Sequence, residues 1–324
     1  MQDQNRQDKF KKDAFSEKYL ALMNQELGSV DQAILKDIEE NIEPTPVFII
    51  GLQRSGTTVF NQLLLNQFNF NYPSNFIARF WNAPLTGLVL QNNLKFEPSQ
   101  NFKSKLGYTE GLSGPHEFGC FWRHWFPWKS YHKDFKKASI DDQAFQQLIK
   151  GMQSLGGNAW LFKNLHQVNF QIETLHLLFP EAVFLYIKRE PLFVMQSTYE
   201  SRLELFGDEN QWFGIEPPEF ESVKEKSPQV QIAEQVYYGE KYIEHSLNNV
   251  AAEKVYRLSF EELINNPKVK LTELNKFFTE QKIQVEANKE RNIPELKNSN
   301  QIRIESSIIE EMERALTSFY DQNG

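Results

Sequence analysis

The chain has 324 residues, 40% of them hydrophobic and 24% charged, enough apolar content to bury a sizeable core within one large folded unit. Its net charge of −8 argues against generic nucleic-acid binding, so an anionic ligand has to be held by a local pocket and not by the overall field. The single cysteine, Cys120, excludes an internal disulfide, and the absence of both an apolar leader and a run of 18 apolar residues predicts no signal peptide, no membrane span and a cytoplasmic location.

In chain order, residues 1–43 are polar with helical periodicity. Leu20, Met23 and Leu27, then Ile34 and Ile38 after Gly28-Ser29, predict two helices packed on the main body. Pro44 and Pro46 precede the apolar run Val47-Phe48-Ile49-Ile50, as expected of a strand buried on both faces of a parallel sheet. A glycine-bearing loop, Gly51 to Gly56, leads into a helix carrying Val59, Phe60, Leu63 and Leu64. Residues 68–135 read as an irregular, aromatic-rich insertion with Phe76, Phe80, Trp81, Phe121, Trp122, Trp125, Phe126, Trp128 and Tyr131. These rings suit an acceptor pocket and a core beneath a long insertion equally well.

A helix over 141–155 precedes a second strand, 159–163. A helix over 167–178 precedes a third strand, 182–187, and Pro191 then opens another helix. A fourth strand, 254–258, is followed by helices over 260–265 and 269–278. Strands alternating with helices predict an α/β fold: a doubly wound parallel sheet flanked by helices, spanning 44–324, with 1–43 packed on it. Ligands of such sheets sit at the carboxyl ends of the strands, where Gly51, Lys163 and Arg189 fall.

The segment Gly51-Leu52-Gln53-Arg54-Ser55-Gly56-Thr57-Thr58 combines tight backbone, hydroxyl donors, a permanent positive charge and the start of a helix, all of which favour an anion. It partly matches the nucleotide-triphosphate loop G-x-x-x-x-G-K-[ST], but Thr57 stands where that loop has its phosphate-binding lysine. A nucleotide kinase or triphosphate hydrolase with a degenerate loop is the alternative function, and a binding protein without catalysis is a third.

The loop resembles the 5'-phosphosulfate loop of sulfotransferases that use 3'-phosphoadenosine 5'-phosphosulfate (PAPS). It departs at Leu52-Gln53, where that family has proline before the basic residue. Arg189, followed by Ser197 eight residues later, resembles the family's 3'-phosphate clamp, and Phe260-Glu261-Glu262-Leu263 with Pro267 resembles a further family motif. The resemblance implies a P-loop-like sulfotransferase fold and transfer of a sulfuryl group to a hydroxyl or amine of a carbohydrate, lipid or small metabolite. The product would be 3',5'-adenosine bisphosphate, with no metal needed. It implies donor binding by Gln53, Arg54, Ser55, Gly56, Thr57, Thr58, Arg189 and Ser197.

Sulfuryl transfer needs in-line alignment, charge stabilisation of the leaving phosphate and a base for the acceptor's proton. Arg54 and Lys163 are the candidates for the charge. For the base, the family resemblance offers His166, in Lys163-Asn164-Leu165-His166, or Glu117, in Gly114-Pro115-His116-Glu117, with His116 beside it.

Overall fold

The computed structural model describes residues 5–38, 42–94, 102–127, 140–164, 166–288 and 290–323; Trp128, Tyr131 and Leu165 lie outside them. Six strands form among these residues: β1 (Val47–Ile50), β2 (Ser104–Lys105), β3 (Tyr108–Thr109), β4 (Leu161–Lys163), β5 (Val183–Lys188) and β6 (Val255–Ser259). β2 and β3 pair as a small antiparallel hairpin, while the other four make a parallel sheet in the order β4-β1-β5-β6. After β1 the chain crosses to one side of it for β4, then returns to the other side for β5. The strand order therefore reverses at β1, and the crevice above its carboxyl end is where such sheets bind ligands.

Alternation along the strands divides the core in two. Phe48, Ile50, Trp160, Phe162, Phe184 and Tyr186 face one apolar layer. Val47, Ile49, Leu161, Val183, Leu185 and Ile187 face the other. Both faces of the sheet are covered, which explains why its strands read as unbroken apolar runs.

The insertion is less irregular than its sequence suggests. It holds the helix α3 (Pro84–Leu94), after α1 (Ala14–Asp37) and α2 (Thr57–Gln67), and then the short α4 (Gly119–Trp125). Among its described aromatic residues, Phe121, Trp122 and Phe126 are fully buried while Phe76, Phe80, Trp81 and Trp125 are partly buried, and Trp122 packs edge-on against Phe162 at 5.5 Å. α5 (Asp142–Gly156) adds Phe145 to the same layer.

α6 (Gln167–Phe170) and α7 (Ile172–Leu178) replace the single helix expected over 167–178, because Gln171 leaves helical geometry at φ −120° and ψ 21°. α8 (Pro191–Phe206) follows β5. The short α9 (Phe220–Val223) and the long α10 (Pro228–Leu247) come next, then α11 (Phe260–Asn265), α12 (Pro267–Glu280) and α13 (Ser306–Asn323). α10 and α13 have no counterpart in the sequence reading. They pack on each other and on α8, with Tyr237 against Phe319 and Tyr320.

Residues 14–37 form one helix where the glycine at 28 suggests two. Tertiary bonds on either side of the glycine account for this. Asn24 Nδ2 donates to Arg79 O (2.7 Å), and Asn24 Oδ1 accepts from Asn82 N (2.8 Å). Asp31 accepts from Leu85 N (2.9 Å), Thr86 N (2.8 Å) and Thr86 Oγ1 (2.6 Å) at the start of α3. These anchors outweigh the roughly 1 kcal/mol that a glycine costs a helix interior. Asp31→Ala removes this cap and is expected to lower stability by about 1–2 kcal/mol in urea unfolding. An unchanged midpoint and slope would mean that α1 docks through its apolar contacts alone.

Candidate active site

Local backbone geometry shapes the loop after β1. Gly51 lies so close to β5 that a Cβ there would stand 2.6 Å from Ile187 O. Asn169, on α6, fixes the same residue from the other side, accepting from Gly51 N (3.2 Å) and donating to Gly51 O (2.7 Å). Arg54 adopts a left-handed φ of 67°, uncommon for a side-chain-bearing residue. Gly56, at φ 94°, caps α2, and a Cβ there would lie 2.4 Å from the Phe260 ring. Strain of this kind concentrates at functional sites. The loop ends on the N-terminus of α2, whose first backbone N–H groups and dipole favour an anion.

The sequence-predicted residues gather in two adjoining clusters. In the first, Arg54 Nε donates to Ser197 Oγ on α8 (2.8 Å), and Arg189 Nη1 donates to the backbone oxygen of Arg54 (2.9 Å). The two arginine-bearing segments, 135 residues apart in sequence, are thus in direct contact. Burial lowers the proton affinity of both guanidinium groups and brings Arg189 down to about 10, so both remain charged at neutral pH. Arg189 also rests on the Phe260 ring at 4.7 Å, which gives the Phe260-Glu261 segment a role in orienting it.

In the second cluster, Lys163 at the end of β4 donates to Thr58 Oγ1 (2.9 Å) and to Glu117 Oε1 (2.5 Å). Lys163 is 3% exposed and Glu117 31%, so the lysine is sealed in while the carboxylate keeps an approachable side. Burial pushes the Glu117 carboxyl up, but the charge and hydrogen bond of Lys163 more than offset it and hold the group below its ordinary value. The hairpin lies over this pair: a Cβ on Gly107 would stand 3.4 Å from Glu117 Oε1 and 3.9 Å from Thr58 Oγ1.

Both histidines border Glu117. His116 Nδ1 accepts from Phe118 N (2.8 Å), and burial pushes the ring down to about 4 against the pull of Glu117. Burial likewise lowers His166, which is the N-cap of α6. Both are neutral at pH 7. Ser55 turns its hydroxyl back to Leu52 O (2.8 Å), and Thr57 is buried at the start of α2. Gln53 is 3% exposed and lies against Gly214, whose Cβ would stand 2.7 Å from its Cδ; its side chain faces the interior.

Sequence reasoning missed the segment that covers Arg189. Asn300 Oδ1 accepts from Arg189 Nε (2.8 Å), Ser299 Oγ accepts from Arg189 Nη2 (3.1 Å), and Asn300 Nδ2 donates to Glu261 Oε1 (2.6 Å). Arg303, close enough to affect both Arg54 and Arg189, is held by a two-pronged contact with Glu200 at 2.8 and 2.7 Å. No pattern in Lys297-Asn298-Ser299-Asn300-Gln301 marks these residues from sequence. Among the described residues, no group of three or more His, Cys, Asp or Glu side chains is placed to hold a metal ion.

Comparison with known proteins gives this geometry a family. The chain is 22% identical over 282 residues to the omega-hydroxy-beta-dihydromenaquinone-9 sulfotransferase Stf3 of Mycobacterium bovis (strain ATCC BAA-935 / AF2122/97), covering 79% of this chain and 69% of that protein. The Stf3 of Mycobacterium tuberculosis (strain CDC 1551 / Oshkosh) matches with the same figures, 22% over 282 residues. The fold is similar to the crystal structure of sulfotransferase STF1 from Mycobacterium tuberculosis H37Rv, with a TM-score of 0.53 at 13% identity over 94% of this chain and 80% of that one. It is likewise similar to STF9 from Mycobacterium avium, with a TM-score of 0.52 at 14% identity over 94% of this chain and 78% of that one. The sulfotransferase family model matches residues 46–281, from the start of β1 to the end of α12. With the match running through the anion loop, Lys163, Arg189 and Ser197, the chain belongs to the sulfotransferase family.

Proposed function

We propose that this chain transfers a sulfuryl group from PAPS to a hydroxyl or amine acceptor, with Glu117 as the base. The observation that carries this reading is the Arg189–Arg54 contact, which sets side by side the two segments read as anion clamps. Arg54 lies close enough to lower the proton affinity of Arg189, and a nucleotide with phosphate at both its 3' and 5' ends supplies an anion for each side chain.

The residues fit such a donor. The Gly51–Gly56 loop, the α2 N-terminus, Thr57 and Thr58 face its 5' end. Arg189 and Ser197 hold its 3'-phosphate. The Ser197 oxygen accepts from Arg54, which leaves its own O–H free to donate to phosphate. Arg54 and Lys163 offset the charge that builds on the leaving phosphate oxygen. Lys163 keeps Glu117 ionised, and one carboxylate oxygen remains for the acceptor. As the new bond to sulfur forms and the bond to the phosphate oxygen breaks, the acceptor's proton passes to Glu117.

Glu117 is favoured over His166 and His116 because its carboxylate is held against Lys163 beside Thr58 of the loop after β1, while His116 Nδ1 is engaged by Phe118 N. A nucleotide kinase or triphosphate hydrolase has weaker support, since Thr57 occupies the place of the phosphate-binding lysine. The Stf3 relatives are named for an omega-hydroxy-beta-dihydromenaquinone-9 acceptor, so a hydroxylated lipid belongs among the acceptors tested first.

Arg189→Ala is expected to weaken binding of 3',5'-adenosine bisphosphate by about 1.5–3 kcal/mol in isothermal titration. Unchanged affinity would remove Arg189 from the 3'-phosphate. Glu117→Gln is expected to lower turnover by about a hundredfold to ten-thousandfold while leaving bisphosphate affinity intact. Full activity in that variant together with loss in His166→Ala would transfer the base to His166. Because Glu117 titrates below the ordinary carboxylate value, its ionised form persists through the neutral range. Turnover of the wild type should therefore stay level from pH 8 to pH 6 and fall only on further acidification. A decline centred near pH 6.5 would point to an unshifted imidazole instead.

A further inference from the structure

The guanidinium assigned to the donor's 3'-phosphate is already engaged by its own chain. Arg189 Nε donates to Asn300 Oδ1 (2.8 Å), Nη2 to Ser299 Oγ (3.1 Å) and Nη1 to the backbone oxygen of Arg54 (2.9 Å). Nε and Nη2 form one edge of the planar group, an edge that accepts two phosphate oxygens side by side. Two neutral side-chain oxygens stand on that edge here. The other end of Asn300 fixes which way its amide points. Nδ2 donates to Glu261 Oε1 (2.6 Å), and because an ionised carboxylate only accepts, the amide oxygen has to face Arg189.

The segment that carries these two residues is anchored independently of Arg189. Residues 291–305 form neither helix nor strand, and they lie beyond the residues 46–281 matched by the family model. Just past Asn300, α8 holds the segment in place. Gln196 Nε2 donates to Gln301 O (2.9 Å), and Gln196 Oε1 accepts from Arg303 N (2.8 Å). Glu200 takes the Arg303 guanidinium at 2.8 and 2.7 Å. None of these four bonds passes through Arg189, so Ser299 and Asn300 can lift from it while the segment stays tethered. Ser299 is exposed, so its hydroxyl meets water once it leaves the arginine.

We propose that Ser299 and Asn300 are an internal competitor for the 3'-phosphate. They occupy the Arg189 edge until a 3'-phosphorylated nucleotide displaces them, and they reclaim it when the bisphosphate product leaves. The proposal rests on the assignment of Arg189 to the 3'-phosphate. The exchange favours the nucleotide because phosphate brings charged oxygens to a charged donor, where the strap brings neutral ones. The competitor lowers the apparent affinity for such nucleotides in proportion to the time it holds the edge. Donor and product both carry the 3'-phosphate, so a competitor on that edge limits how firmly spent product is kept.

The test is isothermal titration of 3',5'-adenosine bisphosphate and of 5'-adenosine monophosphate into the full chain and into its Ser299→Ala and Asn300→Ala variants. Each variant is expected to bind the bisphosphate about three- to tenfold more tightly than the wild type, with affinity for the monophosphate held within about twofold. Unchanged or weaker bisphosphate binding in either variant overturns the proposal; weaker binding would make that residue a direct or supporting partner of the phosphate. Hydrogen exchange on the unaltered protein gives a second readout that no variant's folding can disturb. The bisphosphate should quicken exchange of the backbone amides of residues 298–303 while slowing that of residues 51–58, and the monophosphate should leave 298–303 unchanged. Slower exchange at 298–303 with the bisphosphate overturns the proposal, because the strap would then close on the nucleotide. A wild type that holds both nucleotides equally well places the fault in the 3'-phosphate assignment itself. A wild type that prefers the bisphosphate, with variants that bind it no tighter, removes the competitor alone.

Discussion

A hydrogen bond from one arginine to the backbone of another is the constraint on which the site depends. Arg189 leaves the end of β5 and reaches the carbonyl of Arg54 in the loop after β1, while Arg54 reaches Ser197 on α8. β1 and β5 are hydrogen-bonded neighbours in register, so the sheet sets the loop after β1 beside the carboxyl end of β5. The strained backbone at Arg54 and the close approaches at Gly51 and Gly56 are the local cost of bringing them together. The sheet and the loop thus bring two positive charges to one crevice in a chain that is acidic overall.

The proposed catalytic end is built differently. Lys163 comes from β4, on the opposite side of β1 from β5, and Glu117 comes from a loop at the edge of the aromatic layer. The fully buried Phe118 and Phe121 stack at 4.4 Å immediately after Glu117. These two rings therefore anchor the segment that carries the candidate carboxylate. That division of labour explains how a long insertion can carry a precisely oriented group.

What was legible in the sequence was what is local. The anion loop follows an apolar strand directly, and Arg189 with Ser197 sits on one strand–helix turn, so each could be read from a short segment. The parallel sheet was legible too, because strands covered on both faces are apolar throughout. The covering segment around Asn300 was not, since Ser299 and Asn300 gain meaning only by contact with Arg189, 110 and 111 residues away. α1 was misread as two helices because Gly28 is a local signal, while the bonds from Asn24 and Asp31 that override it are long-range. α10 and α13 escaped notice for a similar reason. Their stabilising partners are each other.

The most direct test of the central claim is a comparison of two ligands on the unaltered protein by isothermal titration. If the crevice grips phosphate at both ends of one nucleotide, removing the 3'-phosphate should cost about 1.5–3 kcal/mol, so that 5'-adenosine monophosphate binds correspondingly more weakly than 3',5'-adenosine bisphosphate. Equal affinity for the two would contradict the account, because Arg189 would then have no anion to hold.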